Sequence, residues 1–92
     1  MTARVALIVA ERDRVANALR SSGWSVPDAQ ANFVWLPAGA FAAPLAVAME
    51  RRGVVTRAFP DIGIRITTAE ASANDQFLAA LDAAAAELEI NP

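Results

Sequence analysis

Residues 53–70 read GVVTRAFPDIGIRITTAE: two short apolar runs on either side of a Pro-Asp turn, each carrying one arginine, Arg57 and Arg65. Strands that build a core are depleted of charge, so two arginines there need a reason. If residues 54–59 and 63–68 pair as a hairpin centred on Asp61, residues equidistant from the centre face each other, and Arg57 lies opposite Arg65 on one face. Like charges directly opposite destabilise a strand pair by up to about 1 kcal/mol. Two neighbouring guanidinium forks suit an anion held between or above them, a carboxylate or a phosphate. The other reading is that both side chains reach out to water or pair with Asp61, Glu70 or Asp75. A register slip of one residue would also send one of them to the opposite face. Residue types alone leave both readings open.

The rest of the chain offers little else for chemistry. All eight basic residues are arginine, and lysine, histidine, cysteine and tyrosine are absent. The commonest general bases and covalent nucleophiles are therefore missing, and no serine sits in a G-x-S-x-G elbow. Without cysteine there is neither a disulfide framework nor a thiolate zinc site. Asn74 and Asp75 could be taken for metal ligands, but polar residues early in a helix usually complement its dipole and cap. Glu11, Arg12, Asp13 and Arg14 read as a solvated charged face.

The elements that must position the two arginines follow from periodicity. Thr2 can cap a helix over residues 3–22, with Val5, Ile8, Val9, Val15, Ala16 and Leu19 on one side and Gly23 as its left-handed stop. Pro27 marks an irregular crossing, and residues 31–36 (ANFVWL) read as a strand. A second helix is expected over 41–52, with Pro44 tolerable only in its first turn. Strands at 54–59 and 63–68 follow, then a helix over 72–88 with Phe77, Leu78, Leu81, Ala84, Ala85 and Leu88 as its apolar stripe. The order α-β-α-β-β-α predicts a small α/β sandwich, a mixed or antiparallel sheet of about three strands covered by helices.

Ninety-two residues, 55% of them hydrophobic and 20% charged, suit one domain with a modest core. A net charge of −2 leaves no basic footprint for nucleic acid. The run VALIVA at 5–10 is too short for a membrane span, so a cytoplasmic location away from membranes is the expectation.

The blocks QANFVWLPAG, GVVTRAF, GIRITTAE and ANDQFL, in this order and spacing, resemble the C-terminal small domain of the histidinol-phosphate aminotransferases and their aromatic (phenylalanine-type) relatives. These are pyridoxal 5′-phosphate-dependent enzymes of fold type I. ERDRVANALRSSGWSV resembles the helix and turn that lead into that domain, so the likeness covers essentially the whole chain. It implies that Arg65, in the G-[IV]-R-[IV]-T block, holds the substrate α-carboxylate. Arg57, in the V-x-R-x-F block, would contact the substrate's distal group. Asn32 and Phe33 match an N-F pair that either lines the substrate edge or leaves Phe33 in the core and Asn32 bonding a turn.

The resemblance further implies that residues 1–92 are a single domain of a larger enzyme exchanging an amino group between a donor and a 2-oxo acid. The cofactor and its Schiff-base lysine would belong to a large partner domain, so this lysine-free chain should be inactive alone and bind no cofactor. Trp35, Phe33 and Phe59 are the expected surface left for that domain, with self-association of the chain as a consequence. Thr68 and Ala69 stand where relatives often have glycine, and the donor, histidinol phosphate or an aromatic amino acid, stays open. The alternative is a stand-alone α/β module that binds a small anion or a partner protein.

Overall fold

The computed structural model describes residues 3–28 and 32–91. Three helices and three strands run in the order α1 (Ala3–Ser21), β1 (Phe33–Leu36), α2 (Ala42–Glu50), β2 (Arg57–Phe59), β3 (Gly63–Thr67) and α3 (Ala71–Glu87), with a short 3₁₀ turn at Gly39–Phe41 leading into α2. The expected order holds. Thr2 as a cap and Ala31 as a strand start lie outside the described residues.

All three helices end alike. After α1, Gly23 N–H donates to Arg20 O and Trp24 N–H to Leu19 O. After α2, Gly53 N–H reaches Glu50 O and Val54 N–H reaches Met49 O; after α3, Glu89 N–H reaches Ala86 O and Ile90 N–H reaches Ala85 O. This double bond back into the last turn needs a left-handed residue, supplied by Gly23 (φ 101°), Gly53 (φ 83°) and Glu89 (φ 57°). Pro44 falls in the first turn of α2, where its missing N–H has no helical acceptor to lose.

The sheet has the order β1-β3-β2 and is antiparallel throughout. Alternation gives it two unlike faces. Val34, Leu36, Ile64 and Ile66 are buried on one, against Val15, Ala16 and Leu19 of α1, Leu45 and Met49 of α2, and Phe77 and Leu81 of α3 in one contiguous core. Phe33, Trp35, Arg57, Phe59, Arg65 and Thr67 occupy the other face, each half-buried or exposed. The fold is thus two-layered, with the helices on one side of the sheet.

Three expectations are corrected. The second strand spans Arg57–Phe59 rather than 54–59, because Val54 spends its N–H on the α2 terminus and the chain joins the ladder only at Arg57. Val5 and Ile8 do not share the buried side of α1; they are 45% and 38% exposed, and core burial begins at Val15. Phe33, Trp35 and Phe59 are half-buried, Trp35 against Phe59, Phe59 beside Arg57 and Phe33 beside Arg65, whereas Leu7, Val55 and Ile62 are the most exposed of the large apolar side chains described.

Candidate functional site

The hairpin register brings Arg57 directly opposite Arg65. Phe59 O accepts the Ile62 N–H at 2.9 Å, and Asp61 takes the left-handed conformation (φ 65°), so the turn centres where the sequence places it. Both guanidiniums stand on the helix-free face. Among the described residues neither has a carboxylate partner: Asp75 binds Arg14 at 2.8 Å and Glu70 accepts from Ser72. Instead, Arg57 Cζ lies 5.3 Å from the centre of the Phe59 ring and Arg65 Cζ lies 5.9 Å from that of Phe33. Both distances are within cation–π range.

The rings are themselves supported. Trp35 and Phe59 meet at 5.7 Å between centroids, tilted by 53°. The indole lies so close over Gly63 that a Cβ there would come within 2.5 Å of Trp35 Cζ2 and of the Leu36 carbonyl oxygen. Gly63 is therefore a packing requirement, the absent side chain that lets Trp35 cross the sheet to back Phe59.

A cleft of about 450 Å³ opens beside this face, where residues 53–56 run apart from the end of β3. Arg57, Arg65 and Thr67 line it together with Asn74, Gln76 and Phe77 of α3. The volume is that of a small-molecule site. Thr56 Oγ1, in the same lining, is buried with no hydrogen-bond partner among the described residues.

The loop after β3 is clamped from two sides. Thr68 donates to the Asn32 carbonyl through both its N–H (2.8 Å) and its hydroxyl (2.9 Å). Asn74, only 3% exposed, accepts the Ala69 N–H at 2.9 Å and donates through Nδ2 to Ala69 O at 2.9 Å and to Glu11 Oε1 at 3.0 Å. Glu11 also takes a two-pronged bond from Arg14, both contacts 2.9 Å, and Arg14 reaches on to Asp75. The Arg14 hydrogen bonds first, and that of Asn74 second, pull the Glu11 carboxyl down to about 2. Arg14 is correspondingly held further above its usual range by Glu11 and Asp75.

The register opposes the two arginines as the hairpin spacing predicts, whereas the Glu11–Arg14 cluster and Asn74–Asp75, expected as solvated surface and helix-end polarity, are more than that. Glu11, Arg14, Asn74 and Asp75 form one network that ties α1 to α3 and to the loop behind Arg65, while Arg12 and Asp13 pair with each other. Asn32 enters through its backbone carbonyl; its side chain is exposed and no part of the cleft wall. The described residues hold no group of three acidic ligands suited to a metal ion. No described helix is long and apolar enough to cross a membrane.

No protein-family model matches the chain. Curated relatives do. The aromatic amino acid aminotransferase of Streptomyces coelicolor A3(2) is 53% identical over 75 residues, 82% of this chain and 21% of that protein. The one from Rhodococcus jostii RHA1 is 46% identical over 79 residues, covering 86% and 22%. A crystal structure from Burkholderia pseudomallei K96243, provisionally named an aminotransferase, superposes with a TM-score of 0.79 at 31% identity, over 89% of this chain and 27% of that one. The chain thus spans about a fifth of the length of the curated relatives it matches. By sequence and by fold, the chain is a small α/β domain similar to part of the aminotransferases.

Proposed function

We propose that this domain supplies the anion-holding arm of an aminotransferase that moves an amino group between an aromatic amino acid and a 2-oxo acid. The observation that carries the reading is the pair of opposed guanidiniums on the helix-free face, unneutralised by any described carboxylate and bordering a substrate-sized cleft. Arg65 holds the α-carboxylate through its planar fork, and Arg57 meets a distal anionic or polar group on larger substrates. Asn32 serves the site indirectly, its backbone carbonyl holding Thr68 just past the strand that carries Arg65. The names of the relatives favour an aromatic donor over histidinol phosphate.

Pyridoxal 5′-phosphate, where bound in such enzymes, supplies the electron sink for the reaction. This chain cannot hold it as they do: it has no lysine for the covalent linkage. Residues 1–92 are read as the small domain of the parent enzyme, at its C-terminal end, and the cofactor belongs to a large partner domain. The exposed Val5, Leu7 and Ile8 of α1 offer that domain an apolar contact and favour self-association when it is absent. This domain's own contribution is to fix the substrate anion and so orient the reacting carbon.

The test uses the full-length enzyme containing this chain. Charge-assisted hydrogen bonds are worth roughly 1.5–3 kcal/mol, so Arg65→Ala should lower kcat/KM by about one to two orders of magnitude for phenylalanine with 2-oxoglutarate. Arg65→Lys should recover little. Arg57→Ala should hurt histidinol phosphate more than phenylalanine. Unchanged kcat/KM in Arg65→Ala would remove the carboxylate clamp.

A further inference from the structure

Arginine is normally oriented by a carboxylate, and elsewhere in this domain it is. Arg12, Arg14, Arg20, Arg51 and Arg52 each have an acidic oxygen between 2.8 and 3.9 Å away. Arg57 and Arg65 are the two described arginine side chains that do not, and each rests on a phenylalanine ring instead. We infer that Phe33 and Phe59 are positioning residues, whose rings steer the two opposed guanidiniums while leaving their charge and N–H donors free for an incoming anion.

The physical argument turns on what a brace consumes. A carboxylate brace would occupy two of the five N–H donors and cancel the charge the site depends on. A ring face attracts the cation through its quadrupole and takes no in-plane donor. It also answers the repulsion between directly opposed like charges. Arg65, on the central strand, leans across to Phe33 on β1, which pairs with Thr67 and so lies diagonal to Arg65. Arg57, on the edge strand, leans along its own strand to Phe59. The two cations are thus drawn toward different rings. Phe59 is in turn backed by Trp35, whose position over the sheet requires Gly63. This inference rests on the reading of Arg65 and Arg57 as substrate arginines only for its kinetic consequence; the brace itself is measurable without substrate.

Two measurements separate the parts. In the 92-residue chain, NMR should give Overhauser contacts between the Phe33 ring protons and the Arg65 side chain. Those contacts should vanish in Phe33→Leu with the Arg65 Nε–Hε resonance shifted, and persist in Phe33→Tyr. Their absence from the wild-type spectrum would overturn the brace, and this holds even if Phe33→Leu fails to fold. In the full-length enzyme, Phe33→Leu should raise KM for phenylpyruvate about two- to five-fold, the size of an exposed cation–π contact, with kcat changing less and Phe33→Tyr restoring the wild-type value. An intact brace with KM unmoved in Phe33→Leu, while Arg65→Ala raises it, would overturn the positioning role alone. If Arg65→Ala also leaves KM unmoved, the substrate reading fails, and the positioning role fails with it.

Discussion

Asn74 is the residue whose loss should be felt furthest from its own position. Its side chain closes a ring of hydrogen bonds on Ala69, taking the N–H and giving to the carbonyl, and a third bond reaches Glu11. Asn74→Ala removes all three. Ordinary hydrogen bonds contribute about 0.5–1.5 kcal/mol each, and one to a charged group more. Ala69 and Glu11 both lie where water can take over part of the bonding, so the low end applies to them. A total of about 2–3 kcal/mol follows. For a domain of this length, whose whole stability is of order 5–14 kcal/mol, that is a large fraction. Urea unfolding followed by tryptophan fluorescence should show the midpoint falling by roughly 1–2 M at unchanged slope. Asn74→Asp is the informative companion. It keeps the size and the oxygen that accepts from Ala69, but it sets a carboxylate against Glu11 and the Ala69 carbonyl. It should therefore be no less damaging at pH 7 and partly relieved in acid. If Asn74→Ala shifts stability by under about 0.5 kcal/mol, the ring of bonds does not hold the loop behind Arg65.

Two further outcomes are expected. Glu11, with its carboxyl lowered to about 2 from an ordinary 4.5, contributes stability that is complete above about pH 4.5 and lost as pH falls toward 2. Urea midpoints between pH 3 and 6 should accordingly fall more steeply for the wild type than for Glu11→Gln, and parallel profiles would refute the coupling. Glu89 holds a left-handed conformation at the end of α3, where the other two helices use glycine. Glu89→Gly should stabilise by about 0.5–1 kcal/mol, the relieved strain less the added chain entropy, and raise Tm by roughly 2–8 °C in calorimetry.

The arginine pair was legible because a hairpin turn fixes register, and register fixes which residues face each other. Pro60, Asp61 and the matched lengths of the flanking runs were enough to oppose Arg57 and Arg65. The order of elements was legible for a similar reason, since each boundary rests on local chemistry at Gly23, Pro44 or Gly53. The extent of β2 was not. Whether Val54 and Val55 join the ladder depends on where α2 spends its terminal carbonyls, a tertiary matter that alternation does not encode.

The loop network shows where the sequence held a signal that composition disguised. Glu11, Val15 and Leu19 recur at four-residue intervals, and Asn74, Phe77 and Leu81 at three and four, so each polar residue begins a stripe whose later members are buried. A charged or amide side chain in line with a buried stripe is costly unless it is bonded there. Read that way, Glu11 and Asn74 pose the same question as the two arginines, why a polar group occupies an apolar position. The answers differ in kind. Glu11 and Asn74 find each other within the chain, with Arg14 and the Ala69 backbone completing their bonds, and so stiffen the loop that leaves β3. Arg57 and Arg65 have rings for support and no described acceptor for their donors. One pair is satisfied by folding within the chain, and the other is not. That contrast, rather than the presence of arginine as such, is what favours the proposed anion-holding role of the helix-free face.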